Sequence, residues 1–300
     1  MKLDSASPST VAPRTGRGLL PYRMPVHGWA GAVLNLASWY SSWSRTGPSN
    51  YTFFPLWFGF ILFLDGLVIA RSGTSPLHRS WRRFIVMFLC SSVFWWVFEG
   101  LNVPVQNWHY VLDQYYSPLA YFLLASLNFS TVLPAVLEIA ELISSIPGLT
   151  PRLPPGDPGP RLSRRALITL LGVGIASVAL PFAYPHYAYG LLWLCLIFLL
   201  DPINNVARRK SAFGHLLAGD WRFLVVLPIA GVICGFFWEM WNSRALPRWY
   251  YTVPYFDAAP HLFAMPLPGY LGYLPFAVEL FAMYQFILLV TGNHADDLVI

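Results

Sequence analysis

Apolar residues in this chain gather into long blocks separated by short polar or basic stretches, without the sustained alternation of a water-facing strand or helix. Blocks long enough to cross a ~30 Å hydrocarbon core fall near 27–44, 53–70, 83–103, 129–147, 166–183, 188–206, 221–242 and 274–292. The first is the least apolar, carrying Asn35 and several serines; the last reads LPFAVELFAMYQFILLVTG. The pattern predicts an all-α, polytopic membrane protein with eight transmembrane helices.

Composition agrees. The 300 residues are 56% hydrophobic and 11% charged, against about 25% charged in an average soluble domain. That is too little charge to cover a water-facing surface. Cys90, Cys195 and Cys234 all lie inside apolar blocks and read as small buried residues, with no disulfide framework or CxxC site.

Charge sets the orientation. With the N-terminus inside, sixteen of the nineteen Lys and Arg residues fall on one side, leaving Arg45, Arg244 and Arg248 on the other. The expected location is therefore the cell membrane, with both termini cytoplasmic. Residues 1–22, rich in Ser, Pro and Thr, read as a disordered cytoplasmic tail.

The chain also repeats itself. SWRRFIVMFLCSSVFWWVFEGLN (80–102) aligns with DWRFLVVLPIAGVICGFFWEMWN (220–242), matching Glu99 to Glu239 and Asn102 to Asn242. One residue of shift then matches Trp108 to Trp249, Tyr110 to Tyr251, Pro134 to Pro275 and Glu138 to Glu279. Earlier, Trp57 meets Trp193 and Asp65 meets Asp201. The offsets of 136, 140 and 141 residues define a first membrane repeat over 23–146 and a second over 162–300. Between them, 147–161 holds six prolines and three glycines and reads as a linker. Four helices per half, with matching basic loops on one side, makes the repeats parallel.

Candidate chemistry lies in the acids. Seven of the fourteen sit inside apolar blocks: Asp65, Glu99, Glu138, Glu141, Asp201, Glu239 and Glu279. Each costs roughly 2.5–3.5 kcal/mol to insert, so each marks a candidate site. The i,i+3 spacing puts Glu99 with Asn102, and Glu239 with Asn242, on one helix face at the outer end. Spans four and eight begin outside, which places Glu138 and Glu279 about a turn below that surface. Four glutamates and two asparagines are thus expected to converge, under Trp108, Tyr110, Trp249, Tyr250 and Tyr251. Asp65 and Asp201 lie at the inner end, where pairing with Arg82 and Arg222 is expected. His109, His186 and His261 share the outer side, but no HxxxH or HExxH spacing supports a metal site, and none is expected.

The spacing Trp238-Glu239, Trp249-Tyr250-Tyr251, Gly272, Pro275 and Glu279-Leu280-Phe281 resembles the lycopene cyclase domain family of small multi-span carotenoid proteins. The first half shows Trp96 near Glu99, then Trp108-His109-Tyr110, Pro134 and Glu138, so each half covers about one such domain. The chain departs from that family in having single glutamates after each proline instead of an adjacent pair, and four spans per half instead of three. The resemblance implies a redox-neutral cyclase or isomerase working on an isoprenoid or other membrane lipid without a cofactor. Glu239 and Glu279 would be the principal acid/base pair, Glu99 and Glu138 their counterparts, and Asn102 and Asn242 would orient the carboxyls. The Trp and Tyr faces would stabilise a carbocation. From the residues alone, a small-solute or proton transporter and a structural subunit of a membrane complex stand beside the enzyme. No nucleic-acid partner is expected.

Overall fold

The computed structural model describes residues 20–46, 48–149, 157–256, 258–292 and 298–300. The expected linker 147–161 and tail 1–22 therefore lie partly outside the described residues. Of their described parts, Tyr22 donates its N–H to Ala70 O at 2.9 Å. Pro160 O accepts from Asn205 Nδ2 at 2.9 Å, and just past the linker Leu162 N donates to Asn205 Oδ1 at 2.7 Å. Gly159 has φ +71°, and a Cβ there would meet Gly214 O at 2.4 Å, so only glycine fits that approach.

The helices run in order: α1 (Val26–Ser44), α2 (Phe53–Ser72), α3 (Pro76–Arg79), α4 (Trp81–Val105), then strand β1 (Trp108–Val111), α5 (Pro118–Phe129) and α6 (Val132–Ser144). After the linker come α7 (Arg164–Ala183), α8 (Pro185–Ala188), α9 (Leu192–Val206), α10 (Ala212–Leu217), α11 (Phe223–Asn242), strands β2 (Arg248–Tyr251), β3 (His261–Leu262) and β4 (Met265–Pro266), and α12 (Tyr273–Val290). Seven helical segments among the described residues are long and apolar enough to span a bilayer: Phe53–Ser72, Trp81–Val105, Pro118–Ser144, Arg164–Ala183, Pro185–Val206, Phe223–Asn242 and Leu267–Val290.

Two boundaries differ from the sequence expectation, and each moves a glutamate. The fourth span begins at Pro118, not 129, because Ser117 Oγ accepts the Ala120 N–H and Pro118 opens the helix. Glu138 thus lies about 30 Å of helix from the start of its span, near the end opposite the strands, instead of a turn below their surface. The last span begins at Leu267, which places Glu279 near mid-span.

The first predicted span, α1, is not among the seven. Its face pattern is nonetheless inverted relative to a soluble helix. It buries Gly28, Gly31, Asn35, Ser38 and Ser42, spaced alternately three and four residues apart, and exposes Val26, Trp29, Val33, Leu36 and Tyr40. The small stripe lets α1 and α2 approach closely. A Cβ on Gly31 would sit 2.6 Å from Gly59 O, and Asn35 Nδ2 donates to Leu56 O at 3.0 Å.

Helix packing recurs in corresponding pairs. α1 packs on α2 and α7 on α9; α2 on α6 and α9 on α12; α4 on α6 and α11 on α12. Between the halves, α6 meets α11 and α12 meets α4. Trp57 lies 5.3 Å from Trp238, and Trp193 lies 5.7 Å from Phe98, the residue that aligns with Trp238. β1 and β2 pair antiparallel with Trp108 opposite Tyr251, His109 opposite Tyr250 and Tyr110 opposite Trp249.

At the far end, α10 carries a buried histidine. His215 Nδ1 lies 3.1 Å from Asp220 Oδ2, and its ring stacks on Phe223 at 4.3 Å. Burial holds this imidazole below its ordinary value of 6.5, with Asp220 opposing. A histidine that takes its proton less readily folded than unfolded makes stability fall as pH drops below about 6.5. In detergent, Tm is expected to decline on acidification through that point, and His215→Gln, which keeps a donor toward Asp220, to flatten the decline. Gly31→Leu should lower the unfolding free energy by about 1–3 kcal/mol through overpacking, measured by the same thermal melts.

Candidate functional site

The strand end holds two matched carboxyl clusters. Glu99, near the end of α4, has Oε1 facing three donors: Trp95 Nε1 at 3.0 Å, Trp108 Nε1 at 3.0 Å and Tyr110 OH at 2.6 Å. Glu239, near the end of α11, has Oε1 facing Tyr251 OH at 2.6 Å, Tyr273 OH at 2.8 Å and Trp249 Nε1 at 3.4 Å. The Trp249 N–H is directed mainly at Tyr251 OH, 2.8 Å away. Glu239 is fully buried, and Glu99 partly.

Each asparagine lies one turn further on and ties its helix to the following strand. Asn102 Nδ2 donates to Trp108 O at 2.9 Å, and its Oδ1 accepts the Asn107 N–H at 2.8 Å. Asn242 Nδ2 donates to Trp249 O at 2.8 Å, and its Oδ1 accepts the Trp249 N–H at 2.8 Å. The i,i+3 spacing makes this possible: the glutamate takes the strand's side chains while the asparagine takes its backbone. Tyr250 is exposed and stacks on His109 at 5.1 Å.

Burial and the facing carboxylate hold the Tyr110 and Tyr251 hydroxyls well above the ordinary tyrosine range. Both therefore remain protonated donors across physiological pH.

The four glutamates do not converge. Glu279 Oε1 accepts the Leu196 N–H of α9 at 2.9 Å, whereas Tyr273, on the same helix, reaches Glu239. The six-residue step from Tyr273 to Glu279 turns the helix by about 600°, so the two side chains leave α12 on different faces. Glu138 is fully buried on α6, which packs on α2, the helix that carries Asp65. It belongs with the acids at the far end.

Those acids are not paired as expected. Asp65 Oδ2 lies 2.8 Å from His27 Nε2, and Oδ1 accepts the Leu77 N–H at 3.1 Å. Arg82 instead lies over the Trp81 ring at 5.4 Å. Asp201 accepts the Ala212 and Phe213 N–H groups at 2.8 and 2.9 Å, so the start of α10 takes the role assigned to Arg222. The helix cap wins because the chain turns back within twelve residues and presents N–H groups straight to the carboxylate. Glu141 pairs with Arg79 and accepts the Val299 N–H at 3.0 Å.

Sequence reasoning missed Trp95, Tyr273 and His27. Trp95 was findable, lying four residues before Glu99 on one helix face. Tyr273 and His27 reach their carboxyls from other helices, and no local spacing marks them. Among the described residues, no three His, Cys, Asp or Glu side chains assemble as metal ligands.

The inverted burial of α1 and the seven apolar segments mark an integral membrane protein. Compared with protein-family profiles, curated proteins and solved structures, the chain matches none.

Removing one hydroxyl from either cluster leaves a buried acceptor with one donor fewer. Tyr251→Phe and Tyr110→Phe should each lower the unfolding free energy by about 1–3 kcal/mol, with additive losses in the double variant, read from denaturation followed by tryptophan fluorescence.

Proposed function

We propose that the protein is a duplicated, eight-span enzyme of the cell membrane that performs redox-neutral acid–base chemistry on an isoprenoid or similar lipid. In this reading α1 is the eighth span, its exposed Val26, Trp29, Val33 and Leu36 facing acyl chains. The repeats are parallel, the strand ribbon lies outside, and both termini are cytoplasmic, following the basic residues.

The observation that carries the reading is an apolar crevice of about 370 Å³ between α9, α10, α11 and α12. Its wall includes Ile197, Phe213, Leu224, Pro228, Pro275 and Val278. Glu279 follows Val278 directly and is anchored to the N–H of Leu196, next to Ile197; its Oε2 has no hydrogen-bond partner. A wholly hydrocarbon-lined opening suits a polyene or isoprenoid chain, and a carboxyl behind its wall suits proton transfer to that chain.

The chemistry needs one carboxyl. Glu279 protonates a terminal double bond, the cation closes a ring, and the resulting carboxylate takes a proton back from the ring. Atoms balance without oxidant, reductant or cofactor. Glu99, Glu239, Asn102 and Asn242 then serve the ribbon, not the substrate, because their polar atoms are spent on the strands.

The test is a chromatogram of lipid extracts from a lycopene-accumulating bacterial host expressing the chain. The wild type should yield a cyclised carotenoid. Glu279→Gln and the crevice-filling Leu224→Trp should each reduce it at least tenfold at matched membrane expression. Unchanged lycopene with folded wild-type protein, or full product from Glu279→Gln, would overturn the reading.

A further inference from the structure

The two halves treat corresponding aspartates differently. Asp201 is held by two backbone donors, Ala212 N and Phe213 N. At the 136-residue offset, Phe213 corresponds to Leu77, which does donate its N–H to Asp65 Oδ1. Ala212 corresponds to Pro76, and proline has no N–H to give. Asp65 Oδ2 therefore loses its backbone donor, and His27 from α1 takes the position at 2.8 Å. A titratable side chain has replaced a fixed donor.

What lies behind Asp65 differs too. Glu138 is fully buried on α6, which packs on the α2 helix of Asp65, and neither of its oxygens has a hydrogen-bond partner. Its counterpart Glu279 is anchored on Leu196 N. The charged groups around the pair are His27 from α1, Arg79 from α3 and Glu141 from α6, and Glu141 is engaged by Arg79 and the Val299 N–H. His27 retains 31% side-chain exposure, whereas Asp65 has none. The three groups thus run from the surface to an unsatisfied interior carboxyl.

We propose that His27, Asp65 and Glu138 form a proton-exchange site, in which His27 takes a proton from water and Asp65 passes it to Glu138. The proton on His27 Nε2 crosses the hydrogen bond to Asp65 Oδ2, a proton leaves Asp65 for Glu138, and His27 is recharged from solvent. The reverse sequence empties the site. Only protons move, and no bond to carbon changes. The site stands independently of the crevice and of Glu279.

Infrared spectroscopy of the full-length protein in lipid vesicles tests this. The carbonyl stretch of a protonated Glu138 is identified as the band lost in Glu138→Gln, and its exchange is timed after transfer to heavy water. His27→Gln keeps an amide donor toward Asp65 but cannot relay a proton, and should slow exchange of that band at least tenfold with the band retained. Pro76→Ala restores an N–H that competes for Asp65 and should slow exchange to an intermediate rate. Exchange in His27→Gln as fast as in wild type, or no band lost in Glu138→Gln, would overturn the proposal. Because the readout is a vibrational band and not a product, it succeeds or fails regardless of whether the chain cyclises lycopene.

Discussion

Glu239 is fully buried in a largely apolar helix end, and it stays there because two tyrosine hydroxyls, and at longer range the Trp249 indole, face one of its oxygens. A polar group buried without such partners costs several kcal/mol, so this demand organises the region around it. The ribbon must return over the helix end to supply Trp249 and Tyr251. Asn242 must fix the strand's backbone so that those side chains point inward. The first turn of α12 must sit against α11 to supply Tyr273. The same demand at Glu99 fixes β1 on α4, and pairing β1 with β2 locks the two halves together at their strand ends.

The two clusters meet the demand with different parts. Trp95, a donor to Glu99, aligns with Gly235 in the second half. A Cβ at Gly235 would fall 2.3 Å from the Tyr273 ring. The missing indole makes room for that ring, which supplies the third donor from a different helix. In the first half Val132 aligns with Tyr273, and Trp95 fills the corresponding place. The donor count is held constant while its source moves, which is what a constraint on satisfaction, and not on any single residue, produces.

Much of this was legible in the sequence, for physical reasons. Long apolar blocks follow from the bilayer's thickness. The Glu99/Asn102 and Glu239/Asn242 pairs follow from helical spacing, and the aromatic residues after them recur at matching distances, although their pairing as strands is seen only in the fold. What stayed hidden depended on the third dimension. The depth of Glu138 is hidden because an apolar block counted from 129 omits Pro118–Phe129, which the Ser117 cap brings into the same span. Asp65 and Asp201 were given arginines because charge suggests charge, although N–H groups of a returning turn are nearer and fixed. α1 reads as the least apolar block for Asn35 and its serines. Asn35, Ser38 and Ser42 lie with Gly28 and Gly31 on its packing face, since between helices in lipid closeness of backbones counts for more than apolar bulk.

The register of the ribbon has a consequence for how such a chain could arise. Trp108 faces the partner of Tyr110, and Tyr110 faces the partner of Trp108, with His109 and Tyr250 at the centre. A segment that pairs with its own copy in this way is self-complementary, the mark of an isologous contact between identical subunits. The reciprocal meeting of Trp57 with Trp238, and Trp193 with Phe98, has the same form. Each half therefore carries a surface already suited to a second copy of itself. The two halves depart from that shared form one residue at a time, with a proline before Leu77 in one and a glycine beneath Tyr273 in the other.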